Sequence, residues 1–152
     1  MKYLSYLFMW LLLVGMVPGA WAGAPEEIAQ MVKEWVQAYN DGKVEGIRAQ
    51  YADNAHLTSP WTPFRAEGKE AVVGAFAGVF QTFPTRMLTL RQPSIRVFND
   101  ATAVANGYFQ VTLIDPKGQA STRFGRYSLT YVKRGGKWLI VEQHASVLPA
   151  SP

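Results

Sequence analysis

The 152-residue chain contains no cysteine. Small exported proteins commonly gain stability from disulfides, so any exported form of this chain has to rely on its apolar core alone. The chain also has no phosphate-binding loop, dinucleotide fingerprint, nucleophile elbow or Ser-His-Asp motif. Because those motifs carry cofactor or nucleophile chemistry, we predict no cofactor.

Histidine is scarce, since only His56 and His144 occur. Together with Asp53 they could form a two-His-one-carboxylate metal site, but their spacing is unlike a ligand set and we predict no metal. A net charge of +4 is too small for a polyanion binder, so nucleic acid is not an expected partner. Beyond the N-terminal segment the sequence shows no second membrane segment and no internal repeat.

The N-terminus has the three parts of a secretory signal peptide. Lys2 precedes an apolar run, and the segment ends in the small-residue pattern of Ala20–Ala22. We predict a signal peptide over residues 1–22 and one domain over residues 23–152. The expected location is periplasmic or secreted, with no membrane contact after cleavage; a retained N-terminal anchor is the alternative.

Three helices are predicted in the first half of the chain. Pro25, followed by two acidic residues, suits a helix N-terminus, and apolar residues follow at helical spacing. That apolar stripe comprises Ile28, Met31, Val32, Trp35, Val36 and Tyr39. A short second helix is predicted from about Val44 to Ala52, and a third begins near Gly68 and ends before Pro84. The segment between them reads as a polar, proline-bearing connector.

The second half predicts strands, because four segments rich in β-branched and aromatic residues are separated by turn formers. These segments are Leu88–Phe98, Ala101–Ile114, Thr122–Lys133 and Lys137–Val147. Helices followed by consecutive hairpins predict an α+β fold, with a curved, mixed or antiparallel sheet wrapped around three N-terminal helices. Such a cone leaves a hollow between sheet and helices, where a ligand is expected.

The chain resembles the nuclear transport factor 2-like superfamily, also described as SnoaL-like or ketosteroid isomerase-like. "VQAYNDGKVEGIRAQYADNAHLTSP", followed by "EGKEAVVGAF", has the superfamily's order of two helices, a proline and a third helix. "YSLTYVKRGGKWLIVEQHASVLP" is most similar to the SgcJ/EcaC subgroup and to the association domain of calcium/calmodulin-dependent protein kinase II. The resemblance covers nearly all of residues 23–152. It implies a cystatin-like cone and assembly as a homodimer or ring.

The resemblance keeps the scaffold but loses the isomerase chemistry. The first-helix tyrosine of ketosteroid isomerase corresponds to Trp35, and its carboxylate base corresponds to Ser59. An indole has no acidic proton near neutral pH, and an unassisted serine is not a base. The pocket arginines of the kinase association domain correspond to Leu129 and Ala145, which implies a more apolar hollow here.

The register of the last hairpin decides which side chains face the hollow. With a plain Gly135-Gly136 loop, His144 lies opposite Tyr127 on the same face. With a bulge that adds one residue, His144 lies opposite Arg126 instead. Because the resemblance places Leu129 and Ala145 together in the hollow, it favours the bulged register and an outward His144.

Two sets of site residues follow from these arguments. Ligand contacts are predicted for Trp35, Tyr51, Trp61, Tyr127, Leu129, Gln143 and Ala145. Catalytic candidates are His144, Glu142 and Arg126. His144 could exchange protons with Glu142 or a substrate, and Arg126 could pair with Glu142 or face an anionic group.

Three functions are compatible with these residues, because one scaffold hosts many activities. The first is an exported domain that binds a small apolar or amphipathic molecule. The second is a cofactor-independent isomerase, dehydratase or hydrolase that uses the catalytic candidates. The third is a homo-oligomeric interaction module, with a homodimer as the expected assembly.

Overall fold

The computed structural model describes residues 23–149, so the predicted signal peptide lies outside the described residues. Three helices and six strands form this part of the chain. The helices are α1 Ala24–Asp41, α2 Val44–Arg48 and α3 Lys69–Thr82. The strands are β1 Tyr51–Thr58, β2 Ala66–Glu67, β3 Thr85–Asn99, β4 Thr102–Ile114, β5 Ala120–Arg134 and β6 Lys137–Val147. Within the described residues, none of the helices has the length and apolar character needed to cross a bilayer.

The six strands form one sheet in the order β2-β1-β6-β5-β4-β3. Neighbours pair antiparallel except β1 and β6, which run parallel. The predicted α+β class with a curved sheet and N-terminal helices is therefore confirmed. The sheet has one face against the helices, and we call the opposite side the outer face.

The prediction of a polar connector between the second and third helices was wrong. That helix ends at Arg48, and the following residues form β1 and β2. In β1 the buried Ala55 and Leu57 alternate with the less buried His56. Its exposed acid, Asp53, forms an ion pair with Lys69 at the start of α3, 2.6 Å away. The polar residues that resemble a loop in the sequence are therefore the solvent side of a strand.

Helix α1 supplies one wall of the core. Its buried face includes Ile28, Val32, Trp35 and Tyr39, and it follows the predicted apolar stripe. The helix ends at Asp41, and the capping residue Gly42 adopts the left-handed conformation with φ of 69°. The left-handed conformation favours glycine, and a Cβ there would also displace the end of the Arg86 side chain.

Arg86 joins the ends of two helices. Its Nε donates to the Tyr39 carbonyl oxygen at 2.8 Å, and its Nη1 donates to the Phe83 carbonyl oxygen at 2.8 Å. Its guanidinium also lies over the Phe80 ring, 4.1 Å from the centroid. A cation suits the negative ends of two helices, so Arg86 fixes α1 and α3 relative to β3.

Candidate ligand cavity

An apolar cavity lies between α1, α3 and the concave face of the sheet. Its lining residues are Val32, Trp35, Tyr39, Leu57, Ser59, Trp61, Phe76, Leu88, Leu90, Phe109, Val111, Tyr127, Leu129, Gln143 and Ala145. The space not filled by atoms is about 590 Å³ with the open mouth included, and about 50 Å³ admits the centre of a water-sized sphere. The smaller figure measures usable room, because the larger one counts open solvent. The predicted hollow beneath the sheet is therefore present.

Two glycine–aromatic pairs shape the sheet side of this cavity. Tyr127 lies opposite Gly107, and Phe109 lies opposite Gly125, two rows apart on the same face of the β4–β5 ladder. A Cβ on Gly125 would overlap the Phe109 ring, and a Cβ on Gly107 would lie 3.1 Å from the Tyr127 ring. Each ring therefore lies across the strand that carries its glycine. The two glycines allow aromatic side chains to pack flat against the sheet.

A buried hydrogen-bond relay ends at the cavity. The indole N–H of Trp35 donates to the Tyr51 hydroxyl oxygen at 3.1 Å, and the Tyr51 hydroxyl donates to Gln143 Oε1. Burial raises the pKa of Tyr51 well above its usual range, while the Trp35 hydrogen bond lowers it in part. Tyr51 therefore keeps its proton near neutral pH and serves as a hydrogen-bond donor.

The other inward tyrosines of β5 also keep their protons. Burial raises the pKa of Tyr127, and burial, with a further contribution from Tyr127, raises the pKa of Tyr131. Neither hydroxyl has a hydrogen-bond partner among the described residues. These tyrosines are therefore neutral groups in an apolar setting rather than acids or bases.

A bulge in β6 sets the register of the last hairpin. Tyr131 pairs with Ile140, but the next residue, Thr130, pairs with Glu142, so Val141 is the extra residue. A bulge is present, but the register differs from the predicted one, because His144 pairs with Ser128 and not with Arg126. The prediction was wrong because the extra residue lies within β6, which moves the pairing by one step in the opposite direction.

The bulge also interrupts the in–out alternation that a regular strand would have along β6. Trp138 and Ile140 are buried. After the bulge the next buried residue is Gln143, which is 5% exposed. Without the extra residue, Glu142 would have followed Ile140 at the next inward position. The bulge therefore places an amide, instead of an acid, beside Leu129.

None of the three catalytic candidates belongs to the cavity wall. His144 is exposed on the outer face, between Thr58 of β1 and Ser128 of β5. Glu142 lies beside His56 on the same face, with 3.5 Å between the carboxylate Oε2 and imidazole Nδ1 atoms. Arg126 is also exposed and lies opposite Ser146, so the predicted pairing of Arg126 with Glu142 is not the arrangement found.

The structure brings most of the predicted ligand contacts together. Trp35, Trp61, Tyr127, Leu129, Gln143 and Ala145 all line the cavity. Tyr51 is fully buried behind the wall, where its hydroxyl is hydrogen-bonded to the wall residues Trp35 and Gln143. Ser59, which corresponds to the isomerase base, is also in the wall, and its Oγ accepts from the Trp61 N–H at 3.2 Å.

Several wall residues were missed by the sequence reasoning. They are Val32, Tyr39, Leu57, Phe76, Leu88, Leu90, Phe109 and Val111. For Val32 and Tyr39 the signal was the apolar stripe of α1, which marks a buried face without separating core from cavity. For Phe109 and Val111 the signal was alternation along β4, which needs the strand register before it identifies a wall.

Among residues 23–149, no group of three or more His, Cys, Asp or Glu side chains could hold a metal ion. Asp53, the carboxylate considered with the two histidines, is instead paired with Lys69. That pairing lowers the pKa of Asp53. The two histidines lie on the outer face of neighbouring strands, near Glu142 and Ser128.

A curved mixed sheet packed over helices around an apolar cavity defines a cone-shaped α+β protein of the nuclear transport factor 2-like class. Residues 23–144 match the SnoaL-like domain family, and the chain belongs to that family. The predicted superfamily is therefore confirmed. A comparison with curated proteins gave no match.

Solved structures support the same class. A protein from Xanthomonas campestris, named as a candidate calcium/calmodulin-dependent protein kinase II association domain, is 28% identical with a TM-score of 0.74, covering 82% of this chain and 88% of its own. A nuclear transport factor 2-like protein of unknown function from Pseudomonas putida KT2440 is 25% identical with a TM-score of 0.73, covering 82% and 86%. A candidate scytalone dehydratase from Novosphingobium aromaticivorans shares the fold at 17% identity, with a TM-score of 0.73 and coverage of 82% and 83%.

Proposed function

We propose that the protein is an exported binding module that holds a small, mostly apolar molecule in the cavity. The observation that carries this proposal is the composition of the wall, which is aromatic and aliphatic with only a few polar groups. Such a wall is typical of ligand pockets, where a small number of polar groups orient an apolar molecule. The periplasmic or secreted location rests on the sequence pattern of residues 1–22.

The chemistry of the wall favours binding over proton transfer. No Asp, Glu, Lys, Arg or His belongs to the set of described residues that line the cavity. General acid–base catalysis needs a group that titrates near the working pH. Burial instead raises the pKa of Tyr39 to about 12, and it raises that of Tyr127 as well. The catalytic candidates lie on the outer face, so none of them supports an enzyme at this cavity.

The size of the cavity limits the ligand. One water molecule needs roughly 10–15 Å³ of the space that admits a water-sized sphere centre. The 50 Å³ found here therefore equals the room of about three to five waters. This room suits a short chain or part of one ring, since an apolar cavity that binds benzene has about 150 Å³. Larger ligands would have to extend through the mouth.

Native mass spectrometry and thermal unfolding with small neutral aromatic compounds test the proposal. Binding should raise the midpoint of unfolding, since a ligand that binds only the folded state stabilises it. Ala145→Leu should weaken binding because its side chain would enter the cavity. Ser146→Leu is the matched control, because Ser146 is not a wall residue and lies opposite Arg126. Equal binding by both variants and the native protein would reject the cavity as the site.

We also propose that two copies associate through the outer face of the sheet. Two aromatic side chains are exposed there, Tyr108 at 43% and Phe124 at 54%. They are diagonal neighbours, because Tyr108 pairs with Arg126, two residues from Phe124. Exposed aromatic pairs are typical of protein interfaces. The Xanthomonas campestris relative carries the name of an association domain, which agrees with this proposal.

Light scattering at micromolar concentration tests this association. The native chain should give the mass of a dimer or larger assembly, and Phe124→Ser should shift it toward the monomer. Phe64→Ser is the control, because Phe64 is 84% exposed but lies in the loop between β1 and β2. A monomeric native chain would reject the proposal.

A further inference from the structure

The relay from Trp35 to Gln143 has a fixed direction. An indole N–H can only donate, so the Tyr51 hydroxyl oxygen accepts from Trp35 and must send its own proton elsewhere. Its other partner is Gln143 Oε1. If the amide were reversed, Tyr51 would meet two donors and its own proton would have no acceptor in a fully buried position. The arrangement that satisfies every group therefore directs the amide oxygen at Tyr51.

This direction leaves the Gln143 amide nitrogen for the cavity. Gln143 belongs to the wall, and its oxygen is already bonded to Tyr51. Among the described residues, the polar side-chain atoms that are sealed without a partner are Gln50 Oε1 and the Tyr127 and Tyr131 hydroxyls. The Gln143 nitrogen is not one of them and has no acceptor in the described part of the chain, so it keeps some accessible surface, and the space that Gln143 borders is the cavity.

A donor in an uncharged wall selects a particular kind of ligand. The amide N–H groups offer hydrogen bonds to an acceptor, while the surrounding apolar side chains make burial of a full negative charge costly. Building on the proposed function, we propose that Trp35, acting through Tyr51, is a positioning residue for the Gln143 amide. The cavity then selects a neutral, one-ring molecule that carries an acceptor oxygen such as a carbonyl.

Three matched probes test this selectivity on the native protein: acetophenone has an acceptor oxygen, toluene has none, and benzoate carries a charge. Acetophenone should bind about three- to tenfold tighter than toluene, as expected for one neutral hydrogen bond. Benzoate should bind at least about tenfold more weakly than acetophenone, because its charge has no partner in the wall. In ¹⁵N-resolved NMR spectra, acetophenone should shift the Gln143 side-chain NH₂ signals, assigned by their loss in Gln143→Met.

Variants separate the positioning role from simple packing. Gln143→Met removes the donor and should make acetophenone and toluene bind equally. In Trp35→Phe the Tyr51 hydroxyl no longer accepts from an indole N–H, so it can accept from the Gln143 amide nitrogen instead. The amide can then reverse, and the preference for acetophenone over toluene should fall. Val32→Ala is the control, because Val32 is a wall residue on the same helix outside the relay and should weaken both probes alike.

The outcomes distinguish the two proposals. If neither acetophenone nor toluene binds, the proposed function fails for ligands of this size. If both bind with equal affinity to the native protein, the cavity function stands and the donor selectivity is wrong. If the ratio is high but Trp35→Phe leaves it unchanged, Gln143 selects the acceptor without help from Trp35, and the positioning role is rejected.

Discussion

The side-chain amide of Asn40 makes both of its hydrogen bonds with the backbone of one residue, Leu88. Asn40 Nδ2 donates to the Leu88 carbonyl oxygen at 3.1 Å, and the Leu88 N–H donates to Asn40 Oδ1 at 2.7 Å. Strand β3 lies at one edge of the sheet. The Asn40 amide therefore makes the pair of hydrogen bonds that a residue of a neighbouring strand would make with Leu88. Because Leu88 is a wall residue, this contact ties the end of α1 to the cavity.

Replacing Asn40 should therefore destabilise the fold through this backbone contact. We expect Asn40→Ala to lower the free energy of unfolding by about 1–3 kcal/mol, as two neutral hydrogen bonds are lost. Urea unfolding followed by circular dichroism measures the change. Asn54→Ala is the control, because the Asn54 side chain accepts from Arg134 at an exposed position, and its effect should stay within about 0.5 kcal/mol. Equal losses in the two variants would contradict the assigned role.

The buried tyrosines predict a loss of stability at high pH. Burial raises the pKa of Tyr39 from 10.0 to about 12, with Arg86 lowering it in part. The neutral form is therefore favoured in the folded state. Its stabilising effect is complete below pH 10, and it is lost as the pH rises from 10 to 12. Tyr51, whose pKa is also raised, adds to the loss above pH 10.

Urea unfolding between pH 8 and pH 11.5 measures this dependence. The free energy of unfolding should fall above pH 10 by up to about 1.4 kcal/mol per pH unit for each such tyrosine. Tyr39→Phe should reduce the slope, because one ionisable group is removed. A slope that is unchanged in Tyr39→Phe would show that Tyr39 ionises as readily in the folded state as in the unfolded state.

The fold could largely be predicted because its strongest signals are local. The stripe through Ile28 and Trp35 has helical spacing, and the hairpin strands are separated by turn formers such as Gly135-Gly136. Strand β1 was missed because it contains Asp53 and forms its parallel pairing with the distant β6. Parallel pairing between distant segments leaves no turn signal in the sequence.

The part of the cavity wall that could be predicted came from the resemblance to related domains. Leu129 and Ala145 were placed in the hollow by comparison with related domains, and both are wall residues. Alternation along β6 alone would have placed Gln143 outside, since Trp138 and Ile140 are buried. The bulge at Val141 allows Ile140 and Gln143 to lie on the same face. It depends on pairing with β5, and the sequence around Val141 has no feature that predicts it.

The bulge gives an unusual prediction about deletions within a central strand. Removing Val141 should preserve the fold, because Ile140 would still pair with Tyr131 and the next residue, Glu142, would still pair with Thr130. The residues beyond the bulge would then keep the faces they have now. We expect a lower unfolding temperature from lost packing and curvature, but a cooperative transition and a native-like NMR spectrum.

Deletion of Gln143 is the matched comparison, because it removes one residue only two positions further along the same strand. The shortened strand must then place either His144 or Glu142 opposite Leu129, inside the apolar cavity. An ionisable side chain without a partner there costs several kcal/mol or forces the strand to re-pair. The Gln143 deletion should therefore abolish cooperative unfolding or lower the midpoint far more than the Val141 deletion. Equal damage from the two deletions would contradict the bulge as the element that sets the faces of β6.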